Sequence, residues 1–273
     1  FWLLVLVILP YLYLFENSFR PYLPISEMGG PKDVYSFDNY LTFFQSPIHI
    51  QVFLYTVIYS AVVTALCFFI AYPLAYYLAK VARSNLVPTL FLLLLIPLWV
   101  SEVLRSFAWF IILALKGPLN FVLTGVGIID QPIRWMTGFR SVIIGLVYTY
   151  VLFMLFPIYN AIQSLDTNQI EAAEDLGSPW WRTHWRVILP HSKPGIASGS
   201  VMVFMLSAGS ILVPTLLAST NSRWFTEIIQ QWMFESQDWN TGSAYAFLLL
   251  LLCTIFVSVV MRLFRVKLSD IAK

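Results

Sequence analysis

Two ionisable residues stand close together inside a long apolar stretch of this sequence. Glu102 and Arg105 are the only charged residues in the run 86–115, and their spacing of three places them on one face of a helix. A charge within a membrane span is costly and usually faces a partner or a polar cavity. Two interpretations stay open: a mutually neutralising pair that only orients helices, or groups that line a path for a solute.

Aromatic residues around this pair fit the second interpretation. A carboxylate at Glu102 would favour a cationic solute, and aromatic rings would stabilise such a solute by cation–π interactions. Each ring taken alone is more often a packing residue than a binding residue. The aromatic candidates for the path are Trp99, Trp109, Tyr148 and Tyr150.

Motifs for catalysis and metal binding are missing from the sequence. It has no G-x-x-x-x-G-K-[ST] loop, no H-E-x-x-H and no G-x-S-x-G, which removes the support for ATP binding, metalloprotease and serine-hydrolase functions. His184 and His191 are seven residues apart, but Pro190 interrupts the helix that would align them. We therefore predict no enzyme activity and assign no metal site and no disulfide.

The composition places the chain in a membrane. Hydrophobic residues make up 59% of its 273 residues and charged residues only 11%, whereas soluble domains have about 25% charged residues. Lipid must cover the apolar surplus. The net charge of +2 and the lack of a basic run exclude a nucleic-acid partner.

Long apolar segments predict an all-α integral membrane protein with six transmembrane helices in a single domain, 1–273. A spanning helix needs about 20 apolar residues. The chain begins at Phe1 rather than Met, so we expect that residues precede it and that the first span is cut short. The predicted spans cover residues 1–16, 50–79, 86–115, 139–164, 193–219 and 241–263.

Basic residues give the orientation of these spans. Nine of the 16 Lys and Arg residues fall in three short segments, 80–83, 182–193 and 262–273. An excess of Lys and Arg marks the cytoplasmic side. The pattern predicts that both termini and the connection 165–190 are cytoplasmic.

The connection 165–190 carries helix start and stop patterns. Asn168 followed by Glu171 has capping-box spacing, and Asp166 is a competing N-cap. Either start predicts a helix over 169–176 that ends at Gly177 in the left-handed conformation. A helix of two turns is not stable alone, so it must pack against its own chain or against a partner.

A second helix is expected directly after this turn, with Ser178 as N-cap and Pro179 as first residue. Three tryptophans follow in this part of the connection, Trp180, Trp181 and Trp185. Their large side chains are suited to packing against a partner or against the ends of the spans.

The spacing in this connection resembles the EAA loop of permease subunits in ATP-binding-cassette (ABC) importers. The matching positions are Glu171-Ala172-Ala173, then Gly177, Val187 and Leu189-Pro190, with Val187 where the family usually has isoleucine. The similarity covers nearly the whole chain and is greatest to the spermidine/putrescine permease branch. Its further matches are Phe37-Asp38-Asn39-Tyr40, Arg105, Lys116-Gly117-Pro118-Leu119-Asn120 and Ile129-Asp130-Gln131-Pro132-Ile133-Arg134.

The resemblance implies a type I ABC importer permease fold and a set of partners. These are a second, related permease in a heterodimer, two cytoplasmic ATPase subunits that hold ATP and Mg, a periplasmic substrate-binding protein and the lipid bilayer of the inner membrane. The implied solute is a polyamine. Alternatives are an opine, another organic amine, a phosphonate or thiamine, and, less well supported, an ATP-independent carrier or channel.

The resemblance also implies site residues. In such importers the short cytoplasmic helix inserts into a groove of the ATPase, although an inter-span loop that contacts nothing is the simpler alternative. The implied ATPase-coupling residues are Glu171, Ala172, Ala173, Glu174, Gly177, Leu189 and Pro190. Four acids expected outside, either for docking the binding protein or as a solvated face, are Asp130, Glu227, Glu235 and Asp238.

Overall fold

The computed structural model describes residues 2, 4–24, 27, 30–31, 33–219 and 222–264; the last basic segment beyond Phe264 therefore lies outside the described residues. Within these ranges the chain is helical and has no strand. Its α-helices are α1 (Leu9–Ser18), α2 (Asp38–Gln45), α3 (Pro47–Tyr76), α4 (Val87–Trp99), α5 (Glu102–Leu113), α6 (Pro118–Gly125), α7 (Arg140–Gln163), α8 (Thr167–Asp175), α9 (Trp180–Thr183), α10 (Leu189–His191), α11 (Lys193–Ala208), α12 (Leu212–Leu217), α13 (Phe225–Gln230) and α14 (Trp239–Phe264).

Short π-helical segments precede or extend several of these helices. They cover Leu4–Ile8, Tyr77–Val81, His184–Ile188 and Gln231–Glu235. Proline occupies the first turn of other helices, as Pro47 does in α3 and Pro118 in α6. Proline is favoured there because the first helical N–H groups have no partner within the helix.

Helices α3, α7 and α11 form the centre of the bundle. Their buried side chains make one continuous core that includes Cys67 of α3, Met154 of α7 and Val203 of α11. Gly195 and Gly199 allow α11 to approach α7 closely, since a Cβ at Gly195 would lie 2.4 Å from the Pro157 carbonyl oxygen. Small residues at such crossings are typical of helices that pack inside a membrane.

Helix α14 packs along the outside of this core, against α1 and α11. The Phe204 ring of α11 stacks on Phe256 of α14 at a centroid distance of 3.6 Å. Phe15 of α1 meets Phe247 of α14 edge to face at 5.3 Å. The ends of α3, α7 and α14 and the start of α11 therefore lie at one end of the bundle, which also carries α8.

Four helical stretches in the described residues are long and apolar enough to cross a membrane. They are Pro47–Val81, Glu102–Gly125, Arg140–Gln163 and Trp239–Phe264, with 35, 24, 24 and 26 residues. Three of them correspond to the predicted spans 50–79, 139–164 and 241–263. The total of six membrane crossings stays a prediction.

The predicted spans 86–115 and 193–219 are each interrupted. The first breaks at Val100–Ser101, which are extended, three residues after Pro97 removes a hydrogen bond from the last turn of α4. The second breaks between Ala208 and Leu212. Pro214 has no N–H group to donate to the Ser210 carbonyl, so this carbonyl needs another donor.

Buried donors satisfy backbone carbonyls at the second break. Trp224 Nε1 donates to the Ser207 carbonyl at 3.1 Å, and Thr226 Oγ1 donates to the Ser210 carbonyl at 2.6 Å. Trp224 is fully buried. Because an unpaired carbonyl in an apolar environment costs several kcal/mol, these hydrogen bonds stabilise the non-helical backbone at the break.

Substitution of Gly195 tests the α7–α11 crossing. We expect Gly195→Ala to lower the free energy of unfolding in mixed micelles by about 1–3 kcal/mol, because the added Cβ has no room. The matched control is Gly125→Ala at the end of α6, where a Cβ meets nothing within 4 Å. Equal stability of Gly195→Ala and wild type would show that the two helices do not cross this closely.

Candidate functional site

The connection 165–190 begins with a capped helix. Asp166 Oδ1 accepts a hydrogen bond from the Asn168 backbone N–H at 3.0 Å, so Asp166 is the N-cap of α8. Of the two N-caps left open above, the Asn168 capping box is therefore wrong. Because Asp166 caps the Asn168 N–H group, α8 starts at Thr167, two residues before the predicted start at Gln169.

Gly177 ends α8 as predicted. Its φ is +74°, and the Gly177 and Ser178 N–H groups donate to the carbonyls of Glu174 and Ala173 at 2.8 and 3.0 Å. This pair of bonds is a Schellman motif, which glycine at the left-handed position favours. The second helix starts at Trp180 with Pro179 as N-cap, one residue later than the sequence predicted.

Most of the implied coupling residues face away from the bundle. Ile170 is the one residue of α8 that is buried. Ala173 and Leu189 are half-buried, and Leu176 is 89% exposed. The remaining implied coupling residues are exposed, namely Glu171, Ala172, Glu174, Gly177 and Pro190. Residues 171–177 thus lie on a helix and turn that the rest of the chain leaves mostly uncovered.

Two residues to which the sequence assigned no role in this connection, Lys80 and His184, attach it to α3 and its π-helical extension. Lys80 Nζ donates to the Leu165 carbonyl and lies 3.5 Å from Thr167 Oγ1. His184 Nδ1 lies 2.9 Å from the Tyr72 hydroxyl. His184 is 7% exposed, and this burial lowers the pKa of its imidazole.

The second candidate site surrounds Glu102. The Tyr150 hydroxyl donates to Glu102 Oε1 at 3.1 Å. Arg105 Nε is buried without a hydrogen-bond partner, and in the described residues no ion pair joins Glu102 to Arg105. The interpretation as a mutually neutralising pair is therefore not supported, because the carboxylate is bound by a tyrosine of α7.

Both helix breaks lie at this second site. Glu102 opens α5 directly after the Val100–Ser101 break. Ser210, at the other break, is buried and is a neighbour of Tyr150. Irregular backbone at membrane depth is tolerated where it is buried in protein or lines a cavity.

The other aromatic candidates divide into two groups. Trp109 meets Tyr148 edge to face at a centroid distance of 5.4 Å, whereas Trp99 is 86% exposed. Tyr148 lies two residues before Tyr150 on α7. The structure therefore brings Trp109 and Tyr148 together as a pair and leaves Trp99 free on the surface.

The four acids expected outside also differ from one another. Asp130 and Glu235 are exposed. Glu227 Oε2 accepts from the Trp224 backbone N–H at 3.0 Å, and burial raises the pKa of its carboxyl while this hydrogen bond opposes the shift. Asp238 accepts from the Thr241 N–H at 3.0 Å and from its hydroxyl at 2.7 Å. Two of the four are thus occupied in capping helices.

Comparison with known proteins places the chain in a family. Residues 67–269 match the family described as binding-protein-dependent transport system inner membrane component. The chain belongs to this family. The resemblance to ABC importer permeases that the EAA-loop spacing indicates is confirmed, and the chain is an inner-membrane permease of this class.

Two relatives with similar sequences match this chain over nearly its full length. The spermidine/putrescine transport system permease protein PotB of Salmonella typhimurium is 33% identical over 274 residues, which cover 99% of this chain and 94% of the relative. PotB of Escherichia coli is also 33% identical, over 264 residues, 97% of this chain and 94% of the relative.

Solved structures confirm the predicted fold class. The bacterial alginate ABC transporter in complex with alginate pentasaccharide-bound periplasmic protein aligns with a TM-score of 0.74 at 19% identity, over 98% of this chain and 92% of that chain. The MetNI methionine ABC transporter aligns with a TM-score of 0.61 at 17% identity, over 79% and 94%. This chain therefore has the type I ABC importer permease fold.

Removal of the Asp166 carboxylate tests the start of α8. We expect Asp166→Ala to destabilise the helix by about 1 kcal/mol, because an N–H group loses its cap. Hydrogen exchange of the α8 amides should therefore be several times faster. The control is Asn168→Ala, whose side chain reaches only Asp166 Oδ2 at 3.5 Å. Faster exchange in the control than in Asp166→Ala would restore Asn168 as the cap.

Proposed function

We propose that α8 is the coupling helix that docks this permease onto a cytoplasmic ATPase subunit. The observation that carries the proposal is the bare face of α8, whose one buried residue is Ile170 and whose direction is fixed by the Asp166 cap and the Gly177 turn. Ala172 and Ala173 let a partner approach the helix backbone. ATP and Mg are held by the partner, and both termini of the permease are cytoplasmic.

The charges of the chain support this orientation. Arg182, Arg186 and Lys193 follow α8 closely, and Lys80 anchors the segment before it. Basic residues concentrate on the cytoplasmic side of inner-membrane proteins. The opposite end, with exposed Asp130 and Glu235, faces the periplasm and is where a substrate-binding protein docks.

The translocation path passes between the two helix breaks, beside Glu102 and Tyr150. The PotB relatives favour a polyamine as substrate. Tyr150 occupies one lone pair of the Glu102 carboxylate, and the remaining lone pairs accept an ammonium group without breaking that bond. The nearby Arg105 weakens retention of a cation, which suits a path because a transported solute must also leave.

A second substrate class has its own support in the same site. The buried Arg105 Nε lacks a partner in the described residues, and guanidinium groups bind carboxylates and phosphonates well. An opine or a phosphonate would use Arg105 in place of Glu102. The sign of the substrate charge therefore decides which of the two residues carries binding.

ATP-driven closure of the ATPase subunits moves α8, and α8 moves the bundle. Switching a two-state equilibrium from 1:99 to 99:1 requires about 5.5 kcal/mol of differential binding. A helix that is capped at both ends transmits such a difference, whereas an unstructured loop absorbs it. A second permease completes the path as a heterodimer.

Gly177→Val tests the docking of α8. A β-branched residue is strained at a φ of +74°, so the turn and the direction of α8 should be lost. We expect the co-purified ATPase to fall by about tenfold or more, with normal membrane insertion.

Gly127→Val is the matched control for this substitution. Gly127 has a φ of +76° and open space around it, as Gly177 has, but it lies in the connection after α6. Co-purification should survive there. Normal co-purification and uptake in Gly177→Val would refute the docking of α8, and so would equal losses in both variants.

Glu102→Gln and Arg105→Gln together test the substrate charge. With the partner subunits and a loaded binding protein in proteoliposomes, Glu102→Gln should lower putrescine uptake on the order of tenfold, because a charge-assisted bond is lost. Arg105→Gln should leave putrescine uptake equal or higher. The reverse ranking would indicate an anionic substrate, and unchanged uptake in both variants would remove the pair from the path.

A further inference from the structure

Both arms of the connection 165–190 are attached to a helix that is distant in the sequence. The connection leaves α7 and returns to α11, yet its hydrogen bonds and an aromatic ring contact reach the last turns of α3 and its π-helical extension. The contacting residues are Tyr72, Tyr76 and Lys80, which are spaced by four and therefore share one helix face.

Lys80 holds the arm that leads into α8. Its ammonium donates to the carbonyl of Leu165, a residue that is only 2% exposed, and lies 3.5 Å from Thr167 Oγ1 in the first turn of α8. A hydrogen bond from a charged donor is stronger than one between neutral groups. The start of α8 is thereby fixed to the end of α3.

His184 holds the arm that leads away from α8. Its ring packs between Tyr76 and Trp180, at centroid distances of 4.5 and 4.4 Å, and its Nδ1 lies 2.9 Å from the Tyr72 hydroxyl. Burial lowers the pKa of this imidazole, and its ring is held by the hydrogen bond with Tyr72 and by the two aromatic contacts. The second arm is thereby fixed to the same face of α3.

Both attachment points lie at π-helical segments. Lys80 belongs to Tyr77–Val81, and His184 opens His184–Ile188. Single π-helical turns occur frequently at functional sites. Here the two segments lie beside the contacts between the end of α3 and the returning arm.

We propose that Tyr72, Lys80 and His184 form a clamp that makes α3 move together with α8. This inference rests on the proposed docking of α8. Without the clamp, α8 is joined to the bundle through its own chain and Ile170, and its motion is lost in the connection. With the clamp, α3 carries the motion into the core that it shares with α7 and α11. The three are positioning residues that transmit the motion of the ATPase.

Three substitutions remove the hydrogen bonds of the clamp: Tyr72→Phe and Lys80→Met, which nearly keep side-chain volume, and His184→Phe, which keeps an aromatic ring at this position. In the assembled transporter we expect Tyr72→Phe and Lys80→Met each to lower solute transported per ATP hydrolysed by about threefold or more. The co-purified ATPase should stay within about twofold of wild type. Lys80→Arg should restore coupling, and adding His184→Phe to Tyr72→Phe should cause no further loss, since both remove the same bond.

Tyr59→Phe is the control for loss of a tyrosine hydroxyl. Tyr59 also lies on α3, and its ring stacks on Phe139 at 3.9 Å, outside the clamp. It should leave transport per ATP unchanged. A structural role alone would lower uptake and ATP hydrolysis in proportion and leave their ratio constant.

Two results would overturn the clamp. One is an unchanged ratio of transport to hydrolysis in both Tyr72→Phe and Lys80→Met. The other is loss of ATPase binding in these variants, which would assign the residues to docking. If Gly177→Val abolishes docking while the clamp variants stay coupled, the clamp alone fails; if Gly177→Val has no effect, the docking proposal fails as well.

Discussion

Backbone groups that face lipid have no water to bind, and this constraint shapes the permease more than any single contact. Regular helices satisfy it within their own turns. Regular helix is interrupted at two breaks, after α4 and after α11. At the second break, buried side chains donate hydrogen bonds to the backbone carbonyls. Trp224 and Thr226 reach the carbonyls there, while Ser141 of α7 binds the Leu217 carbonyl at 2.6 Å.

The same breaks explain where polar chemistry can exist in such an apolar protein. A helix end exposes N–H and C=O groups that a continuous helix conceals. Glu102 begins a helix at one break, and Ser210 lies at the other, with Tyr150 of α7 between them. The polar site therefore lies where two apolar runs are interrupted, after Pro97 in the last turn of α4 and before Pro214 in α12.

The sequence predicts the helical class and the short helix and turn of the connection 165–190 well, because these depend on local patterns. Apolar length marks the spans, and Gly177 marks the turn after α8. Where two local patterns compete, the sequence leaves the choice open, as between Asp166 and Asn168 for the cap. Pro97 and Pro214 are visible in the sequence, but whether proline bends or breaks a helix depends on donors that lie far away in the chain, such as Trp224.

Contacts between residues that are distant in the sequence cannot be predicted from local patterns. Arg105 is the obvious partner of Glu102 in the sequence, yet the carboxylate binds Tyr150, 48 residues away. His184 draws attention only as a possible metal ligand, although it packs against Tyr72 and Tyr76. Such contacts follow from how α3, α5 and α7 are placed side by side, which no short spacing records.

Attachment at both Thr167 and His184 closes the chain between them into a ring on α3. A ring of this kind tolerates exchange of its outward side chains but not a change of its length, since one additional residue would rotate α8 by about 100° relative to its anchors. Substitutions on the outer surface of the ring therefore leave both attachments in place, whereas an insertion between Thr167 and His184 would displace one of them.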